Sequence, residues 1–245
     1  MADLLIANAR IIDGTGAPAR AGSVVMTGAV VESILPPGPP EPNAAAKIDA
    51  DGRVLAPGFV DVHSHSDVTP FVEPTMDSML RQGVTTLVVG NCGTSAFPFA
   101  GAAEVAALAG AAGLDLGPPW ESFASYLERV EAFRPALNLA ALVGHGTLRE
   151  AAMDDQRRPP TPDELASMRR LLRGALEEGA VGFSTGLIYA PGLHATTDEI
   201  VSLASELERA GGLYASHVRG EGEAVIDAVA ECIEIGRRAR ARRPT

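Results

Sequence analysis

An α/β protein with a small β module ahead of it is the fold class that this 245-residue sequence predicts. Two patterns predict it. Up to about residue 57, short apolar and β-branched runs are punctuated by Gly-containing turns. Beyond that point, continuous apolar runs alternate with segments whose apolar residues recur at helical spacing. A third observation concerns chemistry. The run Val54-Leu-Ala-Pro-Gly-Phe-Val-Asp-Val-His-Ser-His65 stops abruptly at two imidazoles one residue apart.

The β module covers residues 1–57. Leu4 to Ile12 reads as a strand closed by a turn at Asp13-Gly14. Ser23 to Ile34 reads as strand broken at Gly28, and a proline-rich connector follows from Pro36 to Pro42. Ile48 to Leu55 carries a further turn at Asp51-Gly52.

Residues 58–245 carry the alternating pattern. Val84-Thr-Thr-Leu-Val-Val89 and Leu137-Asn-Leu-Ala-Ala-Leu-Val143 suit parallel strands covered on both faces. Strands are expected to end near His65, Cys92, His145, Gly186 and His217. Between them, Thr161-Pro-Asp-Glu164 combines an N-cap, a first-turn proline and a capping-box glutamate. Leu165, Met168, Leu172 and Ala175 follow at helical spacing. Thr196 to Glu199 repeats the box, with Ile200, Leu203 and Leu207 after it and Gly211-Gly212 as the stop. Val225, Val229, Cys232 and Ile233 mark another amphipathic helix. The segment from Ala100 to Arg134 is too long for a simple connection and is expected to form a helical insertion. Such alternation means a doubly wound sheet or a (β/α)8 barrel. About five strand-helix units are visible, where a closed barrel has eight.

The net charge of −11 argues against nucleic acid as a partner. The run Arg237, Arg238, Arg240, Arg242 and Arg243 reads as a solvated helix end. No apolar stretch reaches the length of a membrane span, and the N-terminus lacks a signal-peptide pattern. Cys92 and Cys232 do not make a disulfide framework, so a cytoplasmic location is expected.

Four side chains at expected strand ends could share a cation: His63, His65, Cys92 and His217. In extended chain, residues i and i+2 point to the same side, so both histidines of the pair can reach one ion. Imidazole and thiolate suit zinc-like metals, and reactive groups of barrels gather at the C-terminal strand ends. Cys232 lies on an apolar helix face and reads as packing. His145 is at a strand end too, but reads as a histidine bonded to nearby backbone; His194 reads as surface.

These motifs carry a resemblance. Pro57-Gly-Phe-Val-Asp-Val-His-Ser-His65 resembles the first-strand motif of the amidohydrolase superfamily. Gln82-Gly-Val-Thr-Thr86, Gly90-Asn-Cys-Gly93, Val143-Gly-His-Gly-Thr-Leu-Arg149, Gly182-Phe-Ser-Thr-Gly186 and Tyr214-Ala-Ser-His-Val-Arg-Gly-Glu221 are similar to the D-aminoacylases, the N-acyl-D-amino-acid deacylases. The resemblance implies an incomplete (β/α)8 TIM-type barrel with a small N-terminal β-sandwich module. It implies one or two zinc ions, with His63 and His65 on one metal, Cys92 shared and His217 on the more tightly held zinc. Tyr189 matches a substrate-contacting position. Many amidohydrolases bridge two metals with a carboxylated lysine on the fourth strand. The one lysine here is Lys47, ahead of the barrel, so a lysine bridge cannot form from this chain and a cysteine bridge, as the resemblance implies, remains possible.

The expected activity is zinc-dependent hydrolysis of an N-acyl-D-amino acid to a carboxylate and a D-amino acid. Family members are longer. Their sixth-strand histidine and catalytic aspartate match no residue before Thr245, so a truncated chain is expected. Its open barrel edges would favour self-association. Two other readings stand beside this one: a non-catalytic metal-binding partial barrel, and an amidohydrolase acting on a cyclic amide.

Overall fold

The structure is a computed structural model that describes residues 1–38 and 41–240. Arg242 and Arg243 of the arginine run lie outside the described residues. The chain divides into two compact units, Met1–Gly58 and Phe59–Thr245.

The first unit is one mixed sheet built on β1 (Ala2–Ile11). Leu5 and Ala7 pack in one cluster with Val25; beyond a register shift at Asn8, which has a φ of +56°, Ala9 and Ile11 pack in a second cluster with Val24. β2 (Arg20–Thr27) pairs antiparallel with β1, and β3 (Val30–Leu35) pairs antiparallel with β2 across the turn at Gly28. β4 (Ala44–Asp49) and β5 (Val54–Leu55) both run parallel to β1. The Asp51-Gly52 turn therefore does not reverse the chain. Its two residues take positive φ of 51° and 73° and jog the backbone from β4 to β5 along the same neighbour. The described residues of this unit supply one five-stranded layer.

The second unit is a parallel sheet of β6 (Phe59–Asp61), β7 (Val84–Val89), β8 (Asn138–Gly144), β9 (Gly182–Gly186) and β10 (Leu213–His217). Neighbours in space are neighbours in sequence, β6-β7-β8-β9-β10. A doubly wound sheet reverses its order at a switch point, whereas a barrel wall does not. The order thus resolves the two architectures in favour of a partial TIM-type barrel.

The helices are α1 (Thr69–Val72), α2 (Asp77–Leu80), α3 (Ala103–Ala111), α4 (Phe123–Ala132), α5 (His145–Ala152), α6 (Pro162–Glu177), α7 (Thr197–Ala204), α8 (Leu207–Ala210) and α9 (Val225–Arg238). Leu87, Val89, Val143 and Phe183 of the strands pack in one cluster with Met168 and Leu172 of α6 and Ile200 and Leu203 of α7. The insertion is helical, as its length predicts. It is tied in by an aromatic group in which Trp120 lies 4.7 Å from Phe99 and 5.4 Å from Tyr126, ring centre to ring centre.

Two helix starts differ instructively. Thr161 and Glu164 form the full reciprocal box of α6, and Arg158 bonds both oxygens of that glutamate. At α7, Thr196 accepts from the Glu199 amide, but the Glu199 carboxylate turns away to Arg149 and His145. The second box is therefore half made. The apolar series after it is also two segments, α7 and α8, with Gly211 at φ +63° ending the second.

Candidate metal centre

The site is assembled at the C-terminal ends of the parallel strands. The first histidines do not sit on β6 itself, which stops at Asp61. The chain instead continues beside β7, where the Ser64 amide donates to the Val88 carbonyl at 3.0 Å. His63 and His65 flank that contact, with rings 5.5 Å apart and edge to face. Both are exposed at the sheet end. The same-side placement thus comes from a strand-like extension after β6, rather than from β6.

Cys92 is held in an unusual loop. Gly90, Cys92 and Gly93 have φ of +77°, +55° and +80°. A non-glycine residue there is uncommon and marks a backbone fixed by its surroundings. Those surroundings are specific. The buried Asn91 side chain donates to the Val88 carbonyl at 2.8 Å. Ser184 of β9 donates to the Gly90 carbonyl and accepts from the Gly93 amide. Glycines let the loop lie directly on neighbouring strand ends. A Cβ at Gly186 would stand 2.1 Å from the Cys92 carbonyl oxygen, and one at Gly144 would stand 2.4 Å from that of Gly93.

The result is a cluster of soft and borderline donors. One ligand atom each from His63, His65 and Cys92 lie within 4.8 Å of one another. Cys92 Sγ is 3.3 Å from His63 Nε2 and 3.7 Å from His217 Nδ1, so it reaches donors on both sides of the site. Zinc bound tetrahedrally, at about 2.3 Å from sulfur and about 2.0 Å from nitrogen, separates two such donors by about 3.5 Å. The two sulfur-nitrogen distances straddle that value. The donor types and their spacing both fit zinc.

Burial pushes the Cys92 thiol above its ordinary pKa. A coordinated cation acts in the opposite sense and deprotonates a thiol outright. Tyr189 stands over the centre, half exposed, with Oη 3.0 Å from His217 Nδ1. Its hydroxyl is pushed above the ordinary phenol range by partial burial first, then by the nearby Cys92 and Glu221. It is thus a proton donor at neutral pH. Beside it opens a cleft of about 350 Å³ lined by His65, Cys92, Thr94, Thr147, Tyr189 and several glycines.

The remaining histidine at a strand end does other work. His145 is fully buried, and its Nε2 meets Glu199 Oε1 at 2.9 Å; the partner is a side chain and not nearby backbone. Burial lowers its pKa most, and the Glu199 bond opposes that. Arg149, equally buried, holds both oxygens of Glu199 at 2.8 and 2.9 Å. Sequence reading gave Glu221 no role. It accepts from His217 Nε2 at 2.8 Å, and its only sequence signal is the i, i+4 spacing.

The model of the Amidohydrolase family matches residues 46–240. An N-acyl-D-glutamate deacylase of Alcaligenes xylosoxydans xylosoxydans is 43% identical over 96% of this chain and 48% of its own length. The structure of an N-acyl-D-glutamate deacylase from Bordetella bronchiseptica, complexed with zinc and a phosphonate inhibitor, superposes with a TM-score of 0.87 at 39% identity. It covers 98% of this chain and 50% of its own. A D-aminoacylase studied for its binuclear metal centre gives a TM-score of 0.85 at 36% identity, over 98% of this chain and 50% of its own. The chain spans about half the length of these relatives. It belongs to the amidohydrolase family, and within that family it is similar to about half of a D-aminoacylase.

Proposed function

We propose that this chain carries the zinc centre of a hydrolase that cleaves the amide of N-acyl-D-amino acids. The observation that carries the reading is the position of Cys92 Sγ between His63 Nε2 and His217 Nδ1, at 3.3 and 3.7 Å. Relatives that resemble the chain across this site include an N-acyl-D-glutamate deacylase complexed with zinc and a phosphonate inhibitor.

In this reading His63 and His65 would hold one ion, His217 would hold the other, and Cys92 would serve either. One ion alone would use the same thiolate. Zinc supplies polarisation of an acyl carbonyl and activation of water. The chain's own residues do the rest. Tyr189 extends its hydroxyl from the rim, where it can donate a hydrogen bond to an oxygen that gains negative charge. The cleft beside it, walled by Gly93, Gly146 and Gly192, admits the substrate close to backbone. No residue of this chain is assigned the proton-handling role. The outer edges of β6 and β10 are where a further segment or a second copy would pair.

The absence of lysine from β9 is the reason a lysine-bridged centre is set aside. β9 reads Gly-Phe-Ser-Thr-Gly with no lysine, and Lys47 pairs with Glu41 in the first unit. This favours linear over cyclic amides among family chemistries.

The test is release of methionine from N-acetyl-D-methionine by the zinc-loaded chain. The deacylase reading expects turnover that is lost on chelation and in His217→Ala. Zinc uptake without turnover would support the second reading, a metal-binding partial barrel. Turnover insensitive to chelation would reject both.

A further inference from the structure

The environment of His217 is asymmetric. Its inner nitrogen, Nδ1, faces Cys92 Sγ at 3.7 Å and Tyr189 Oη at 3.0 Å. Its outer nitrogen, Nε2, faces Glu221 Oε1 at 2.8 Å, with Tyr189 Oη farther away at 3.4 Å. A carboxylate offers acceptors only, so Nε2 must carry the proton. A neutral imidazole with its proton on Nε2 has its lone pair on Nδ1. The tyrosine hydroxyl can donate or accept, so Tyr189 accommodates that tautomer without dictating it. Glu221 is therefore the group that selects the tautomer.

The loop after β10 is built to keep Glu221 in place. Arg219 anchors it from within. Its Nε and Nη2 bond Glu231 of α9 at 2.9 and 3.0 Å. Its Nη1 and Nη2 also donate to the carbonyls of Leu193 and Ala195 at 3.2 and 3.1 Å, in the segment that follows Tyr189. One guanidinium thus ties together the His217 loop, α9 and the Tyr189 loop. Glu221 itself is not part of the packing, since its side chain is 66% exposed. Its removal leaves no cavity and no buried orphan.

We propose that Glu221 is a positioning residue for His217: it pins the imidazole with its proton on Nε2, so that Nδ1 is the donor presented beside Cys92. The tautomer claim stands on the metal-free geometry. Its consequence for zinc rests on the reading of the centre given above. Outer carboxylates that fix and polarise a metal-bound histidine typically change metal affinity by about 10–100-fold when removed.

The experiment keeps the two claims apart. The whole chain is labelled with [15N]histidine and prepared without metal. Two-bond 1H–15N spectra above the histidine titration range then report which ring nitrogen of His217 carries the proton. The His217 signals are identified by their loss in His217→Ala. The wild type is expected to show protonated Nε2 and bare Nδ1, Glu221→Ala a mixture of tautomers, and Glu221→Gln, which keeps an acceptor oxygen, a substantial return of the wild-type pattern. Zinc affinity is measured on the same proteins by chelator competition, and Glu221→Ala is expected to bind about 10–100-fold more weakly with its metal-free melting temperature unchanged. An unchanged tautomer in Glu221→Ala would overturn the proposal. So would a shifted tautomer with unaltered zinc affinity. A shifted tautomer in a chain whose wild type takes up no zinc would uphold the role of Glu221 and remove the metal reading.

Discussion

Cys92 is the residue on which the site turns, and its neighbours explain why it can. The thiol was readable from sequence only as one candidate at a strand end. The structure adds the reason it is held there. Three positive-φ residues curl the loop, and glycines at 144 and 186 let it press onto strand backbone. Those glycines were visible as letters in two motifs, but their purpose depends on contacts between segments some 50 to 90 positions apart, which no local pattern encodes. Glu221 was missed for a related reason. A glutamate four residues after a histidine is unremarkable until the loop between them is seen to fold back. The glycine argument is testable. Gly186→Ala places a Cβ against the Cys92 carbonyl, and backbone there cannot yield as a flexible side chain would. Overpacking of this kind costs about 1–3 kcal/mol. The variant is expected to unfold at lower urea and to bind zinc more weakly, since the loop must move. Wild-type zinc affinity in Gly186→Ala would show that the loop position is not needed.

At the level of elements, the reading of helix starts was good where the glutamate had no rival partner. The box of α6 formed as written, because Glu164 Oε2 accepts from the Thr161 amide and from Arg158 together, so the arginine leaves the box intact. The box of α7 lost its second half because a buried arginine outcompetes a backbone amide. Arg149 is shut off from bulk solvent and needs a protein partner, and the Glu199 carboxylate supplies it. Nothing local in Thr196-Thr-Asp-Glu199 signals that. The α6 start also carries a pH dependence. The Glu164 carboxyl is pulled down to about 2, first by its bonds to Arg158 and then by the Thr161 amide. A group whose folded pKa is depressed stabilises the native state above its ordinary value and ceases to do so as pH falls through the folded value. The contribution is thus lost between about pH 4 and about pH 2. Glu164→Gln is expected to show a shallower fall of the urea midpoint over that window than the wild type, and an equal midpoint loss at both ends of it would contradict this.

For the whole molecule, sequence patterning reached the class but not the choice within it. Alternating apolar runs and helices allowed two architectures, and only the sequential order β6 to β10 selects the barrel wall. The short β6 was read as longer because the apolar run continues to Val62; the ladder stops at Asp61 and resumes only through Ser64. Among the described residues, no helix is long and apolar enough to cross a membrane. What the fold does for function is to bring four strand ends, those of β6, β7, β9 and β10, to one rim, and there the imidazoles, the thiol and a tyrosine meet. The account stands or falls on whether that rim binds a cation through sulfur. Titration of the metal-free chain with cobalt(II) measures it directly, because a thiolate-cobalt bond adds a near-ultraviolet charge-transfer band. The predicted result is a saturable band that disappears in Cys92→Ala and persists in Cys232→Ala. A chain that gives no such band, or one that keeps it in Cys92→Ala, would contradict the assignment.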